Sequence, residues 1–285
     1  MSQGASRMAA VGTLAVALGL SGGVRDAAAT RGESDLSEAR VCRQGAIECV
    51  SRVIREMTRR FDALARRCDH DAIFALVYLR TTEVYRDTAD TIGYDDVASV
   101  TREDALFADY YFRAFDAYHS GPHHSGPYHS EQGSVPPAWQ IAFDSASAHT
   151  LSAQGNAFLG VSAHIQRDLP FVLYDLFTQG HAVSYEDHTL VNEFLAQVDV
   201  APEIMARFDP TYPPGSDIGL IAAWRETAFR NFERLRDATP VERIVIAAEI
   251  EYSAALFAQN IVASTAYPPG SSSSERDAYC HAQRD

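Results

Sequence analysis

An excess of positive charge is missing from this 285-residue chain: 24 Lys and Arg stand against 38 Asp and Glu, a formal net charge of -14 at pH 7. That balance argues against a broad electrostatic grip on nucleic acid or on anionic lipid headgroups. The chain has no Walker loop, no dinucleotide-binding glycine fingerprint and no H-E-x-x-H, which removes the commonest phosphate, nicotinamide and zincin chemistries. GVSAH at 160–164 approaches a nucleophile elbow but lacks the second Gly and the preceding strand. No repeat of 20–50 residues is present, against a solenoid. Period-two alternation is absent as well, so strands are not expected. The four cysteines contain no close C-x-x-C pair of the zinc-ribbon or thioredoxin kind.

What is present is apolar and helical: 46% of the residues are hydrophobic, enough for a real core, and apolar positions recur at spacings of three and four. Helices are expected over 46–66, 70–89, 102–118, 137–153, 156–179, 186–207, 217–237 and 240–263, with breaks at IGYDD, at HSGPHHSGPYHSEQGSVPP and at DPTYPPGSD. The fold class is therefore all-α, a single multi-helix bundle-like domain of about eight helices spanning 40–263 and followed by a polar tail over 264–285. Residues 1–29 read as a signal peptide: Arg7, then the apolar run MAAVGTLAVALGL, then the small residues Ala27, Ala28 and Ala29. The run falls short of the roughly 20 apolar residues that span a bilayer. A secreted protein without a permanent membrane anchor is the expectation.

Export permits disulfides. On one continuous helix Cys49 and Cys68 would lie roughly 28 Å apart, far beyond the ~7 Å that a bridge tolerates. Cys42 can meet Cys49 only if the helix begins after Gly45; otherwise Cys280 must fold back to one of them, and Cys68 can stay a buried thiol.

The chemistry centres on GNAFLGVSAHIQRDLP, where His164 and Asp168 stand four apart on one helical face. Such a pair suits a shared metal or a hydrogen-bonded general acid/base; the plain alternative is a core pair in which Asp168 only accepts a hydrogen bond. Further ligands would come from Asp187 and His188 in YEDHTLVNEFL, Asp69 and His70 in RRCDHDAIF, and Glu249 in the long apolar helix that also holds Glu251. Asp69 and Asp187 also fit as ordinary helix N-terminal residues. The four histidines His119, His123, His124 and His129 surround a doubled HSGP whose Gly, Pro and Ser suit a surface loop better than a cage.

CDHDAIFALVYLRTTE, VPPAWQIAF, FLGVSAHIQRDLP and DHTLVNEFL in this order resemble a bacterial all-helical domain family of unknown function, a resemblance that implies a fold and an extent of about 45–210 but no catalytic residues. AHIQRDLP alone is similar to the Ala-His-x3-Asp helix of the zinc-dependent phospholipase C and S1/P1 nuclease group, through Ala163, His164, Asp168 and Pro170. The later His of that group is missing after Pro170. The expected function is a secreted, metal-dependent hydrolase with zinc as the first choice of divalent metal, acting on an ester or phosphoester of a small-molecule or lipid-like substrate, with no nucleic-acid partner. The alternatives are a metal-free helical tailoring enzyme or apolar small-molecule binder, and a non-catalytic secreted interaction domain.

Overall fold

The spacing of apolar residues at three and four is realised as helix. In α2 (Glu48–Ala65) it places Val50, Val53, Ile54, Met57, Phe61 and Leu64 on one buried stripe, against which α3 (Ala72–Thr88) packs. The computed structural model describes residues 40–119, 135–215 and 218–284; the expected signal peptide, His123, His124 and His129 lie outside them. Besides α2 and α3 the elements are α1 (Arg40–Arg43), α4 (Val97–His119), α5 (Pro137–Ser147), α6 (Ala153–Ser162), a π-helical turn (Ala163–Asp168), α7 (Leu169–Thr178), α8 (Tyr185–Leu195), α9 (Ala201–Arg207), α10 (Ile218–Asp237), α11 (Pro240–Thr265) and α12 (Ser274–Ala282). The fold is all-α: among the described residues the β geometry is confined to an isolated bridge between Leu151 and Ala266. These residues belong to one compact unit.

Local chemistry sets the helix starts. Thr239 and Glu242 close a capping box with Pro240 at the first helical position of α11. Ser152 and Ser184 accept backbone N–H groups at the starts of α6 and α8. The rod formed by α6, the π-turn and α7 is the axis of the molecule, wrapped by α3, α4, α5, α10 and α11. Its path is close: a Cβ on Gly160 would lie 2.2 Å from the ring of Phe74. Gly160→Ala must therefore displace a core aromatic, and urea unfolding should show a loss of about 1–3 kcal/mol.

Three segments differ from the periodicity. The stretch 156–179 is not one regular helix: at Ala163–Asp168 it widens, and the Leu169 N–H reaches back five residues to the His164 carbonyl. Pro170 accounts for this, because a proline brings no N–H and its ring would press on the carbonyl four residues earlier in a tight α-turn. The stretch 186–207 divides into α8 and α9, with Pro202 opening the second. The polar stretch 264–285 holds α12, tied to the body by the Cys68–Cys280 disulfide and by the Tyr279 hydroxyl, which donates to the Met205 carbonyl.

The second disulfide joins Cys42 to Cys49. It forms because Gly45, at φ +67°, breaks the chain between α1 and α2; any Cβ there would meet the Ala98 carbonyl oxygen at 2.2 Å. Two disulfides with no free cysteine among the four fit an oxidising, extracellular environment.

Among the described residues one helix, α11, is long and apolar enough to cross a membrane by length and composition. It packs through Ile250, Ala254, Ala258 and Ile261 and leaves Val241, Ile244, Val245, Tyr252 and Leu256 exposed.

Candidate functional site

His164 and Asp168 are both buried inside the rod, at 3% and 0% exposure. The wide turn still brings them together: His164 Nδ1 lies 3.0 Å from Asp168 Oδ2. Asp168 also accepts from the Trp139 indole N–H at 2.8 Å and, on its other oxygen, from Arg167 at 2.9 Å. Arg167 is held from behind by Glu251, at 2.7 and 2.8 Å. A carboxylate can only accept, so His164 Nδ1 carries the proton and Nε2 keeps its lone pair. That nitrogen is buried without a hydrogen-bond partner. Burial lowers the His164 pKa below its ordinary 6.5, against the opposing pull of Asp168, so the ring is neutral at pH 7.

The neutral imidazole is also clamped between aromatic rings. It stacks flat on Phe107, with centroids 3.4 Å apart and planes 5° off parallel, and meets the edge of Tyr78 at 4.5 Å. His164 is one of the residues around a cavity of about 110 Å³ lined by Phe74, Tyr78, Phe107, Val161, Phe194 and other apolar side chains. His164, Glu103, Asp104 and Arg225, together with the hydroxyl-bearing Tyr78, Thr81, Thr82 and Tyr85, break the apolar lining. Tyr78 Oη, Asp104 Oδ2 and Arg225 Nε are, like His164 Nε2, buried without a partner. Buried polar atoms are nearly always satisfied, so four unpartnered atoms on residues of one cavity could take the polar group of a bound molecule or water. Asp104 is pushed up to about 8, first by burial and then by the neighbouring Glu103. Glu103 itself is raised to about 6 by burial, with Arg225 pulling the other way.

The other expected ligands are engaged elsewhere. Asp187 accepts the backbone N–H groups of Asp95 and Asp96 at 2.8 and 3.1 Å. His188 donates through Nε2 to the Arg225 carbonyl at 3.0 Å, and Arg225 returns a bond to the His188 carbonyl at 2.7 Å; burial and then the Arg225 charge push this histidine down to about 2. These two residues pin α8 to its neighbours. Asp69 accepts from Arg67 and from the Asp71 N–H in the turn before α3. Glu249 is paired with Arg234 on the surface.

His70 is brought to a different meeting. Its Nε2 lies 2.7 Å from Asp277 Oδ1, and Asp277 Oδ2 lies 3.1 Å from Nδ1 of His149. The ligand atoms of the three fall within 4.8 Å of one another, a group that could hold a metal. Burial, reinforced by the Arg276 charge, lowers His70 to about 4, while Asp277 is drawn down to about 2 by the His70, Ser273 and His149 hydrogen bonds despite partial burial.

The sequence pattern singled out neither His149 nor Asp277, and it missed Trp139 and Arg167 as partners of Asp168 and Tyr78, Asp104 and Arg225 as residues of the cavity lining. Trp139 lies within VPPAWQIAF, which carries the family resemblance, and that was the available signal. No curated protein and no solved structure matches the chain, and the one-helix likeness to phospholipase C and the S1/P1 nucleases finds no support. A family model does match, over residues 50–264, and it spans His70, His149, His164 and Asp168. The chain thus belongs to the Family of unknown function (DUF5995).

Proposed function

We propose that this chain is a secreted hydrolase that takes an uncharged ester of an apolar small molecule into the α3–α4 cavity, with His164 as general base oriented by Asp168. The observation that carries the reading is the His164 Nε2 lone pair, buried and unpartnered in a side chain that lines the cavity, while Nδ1 is locked to Asp168. Such a base takes a proton from a bound water as the oxygen attacks the ester carbonyl carbon, and later returns that proton to the departing alkoxide. The Tyr78 hydroxyl and the Arg225 Nε–H are the unpartnered donors available to the oxyanion formed between these steps. With Glu103 and Asp104 beside a single Arg225, the wall suits a neutral carbonyl better than a dianionic phosphate. The two disulfides support export to an oxidising compartment.

The test is turnover of uncharged nitrophenyl esters of graded acyl length. Activity should rise with chain length until the cavity is filled. The apolar lining also supports a second reading, a binder in which the dyad only orients its ligand. Displacement of an apolar fluorescent probe by these esters, with no hydrolysis, would establish that reading instead.

The pH profile should be bell-shaped. Activity requires neutral His164, whose pKa lies below 6.5, so the acid limb falls below that value. Asp104 becomes charged near pH 8, adds negative charge beside the reacting centre, and should give the alkaline limb. Asp104→Asn should flatten the alkaline limb while leaving the acid one; stopped-assay rates between pH 5 and 9 would show it.

A further inference from the structure

Away from the dyad, three chain segments distant in sequence converge: the turn before α3, the turn after α5 and the first turn of α12. They bring His70, His149 and Asp277 to one point. We infer that these three side chains form a binding site for a divalent metal ion of the zinc type.

Two imidazole nitrogens and one carboxylate oxygen are an ordinary zinc donor set, and three protein ligands leave a fourth position open. The geometry is that of a site closed on itself by hydrogen bonds. Asp277 bridges both histidines, at 2.7 Å to His70 Nε2 and 3.1 Å to His149 Nδ1, and the rings stack at 3.9 Å. A metal takes the place of the bridging protons with small side-chain movement. Ser273 donates to Asp277 Oδ2 at 2.7 Å, the kind of outer contact that holds a metal-binding carboxylate in position.

Rigidity comes from the backbone. Cys68 and Cys280 are bridged, two residues before His70 and three after Asp277, so one covalent link fixes both ligand-bearing segments. His149 sits at φ 54°, a left-handed conformation that a non-glycine residue adopts at some cost and that clusters at functional sites. His70 is 2% exposed, whereas His149 has a 44% exposed side chain. The open coordination position therefore faces the solvent-side cleft of about 370 Å³ that Asp71, His119, His149, Asp277 and His281 line.

One neighbour opposes loading. Arg276 approaches His70 Nδ1 at 3.3 Å, although its shorter bonds go to Asn156 Oδ1 at 2.7 Å and the Leu151 carbonyl at 3.1 Å. Binding at Nε2 moves the single ring proton of neutral His70 to Nδ1, the side that Arg276 faces, so loading requires Arg276 to turn fully to Asn156 and the Leu151 carbonyl.

The experiment uses the full chain with His123, His124 and His129 replaced by Ala, which removes the histidine-rich tract as a competitor. After chelator stripping, this parent is titrated calorimetrically with Zn2+, and with Co2+ while visible absorption is followed. One equivalent should bind, with the intense visible bands of low-coordinate Co2+. His149→Ala, at a half-exposed position where folding is retained, should weaken binding by at least about 10-fold, and Asp277→Asn should do the same with unchanged helical circular dichroism. Absence of saturable binding to the parent, or a loss smaller than tenfold in His149→Ala, overturns the site and leaves the three residues as a polar anchor for α12.

Discussion

Replacing His164 by Ala should reduce kcat/KM for an uncharged ester by roughly 10²–10⁴-fold, the range a positioned general base contributes, while far-ultraviolet circular dichroism stays close to that of the parent. The expectation rests on one atom, because Nε2 alone of the dyad's nitrogens and oxygens is buried without a partner. His164→Ala removes the stacking partner of Phe107, so some stability is lost too, and rates must be compared at a temperature where both proteins are fully folded. Asp168→Asn separates orientation from basicity. The amide keeps the shape but can present its NH2 to His164, turning the imidazole to the wrong tautomer, and it breaks the ion pair with Arg167, a partly buried cation. The variant should therefore lose both rate and stability, whereas His164→Gln should lose mainly rate. Wild-type turnover in His164→Ala would remove the hydrolase reading, since no other side chain of the cavity offers an unpartnered neutral base.

The same pair shows how far local sequence carries. The spacing of His164 and Asp168 was enough to place them on one face, and Pro170 was enough to mark a break, because both are short-range consequences of helix geometry. The conversion of that break into a π-turn was not legible, since a proline can equally end or kink a helix. The chain's other histidines were harder. His70 and His188 both open apolar runs beside an aspartate, yet one meets Asp277 and the other the Arg225 backbone carbonyl. That choice is made by tertiary packing, which local spacing does not encode. His149 and Asp277 had no pattern at all, as their partners lie far away along the chain and Asp277 sits in a stretch whose composition reads as a polar tail.

Replacing Cys68 and Cys280 together by Ala should cost about 5 kcal/mol of unfolding free energy, because the bridge closes a loop of 212 residues and the entropy it removes from the unfolded chain grows with the logarithm of loop length. The Cys42–Cys49 bridge, with a separation of 7, should contribute only about 2 kcal/mol by the same relation. Urea unfolding of the two double variants, both free of stray thiols, measures the difference directly. The larger loss is a substantial part of a typical total of about 5–15 kcal/mol, so the Cys68/Cys280 variant should show a markedly lower midpoint. It should also open locally before it unfolds globally. α12 buries few side chains, chiefly Arg276 and Cys280, and without the disulfide it is held by the Arg276 bonds to Asn156 and Leu151, the Asp277 contacts and the Tyr279 hydroxyl. Amide exchange in α12 should accelerate ahead of exchange in α6 and α7, which flank the π-turn of the dyad and are enclosed by other helices. Equal costs for the two bridges would mean that the unfolded chain already holds its ends together, and that loop entropy is not what the longer disulfide supplies.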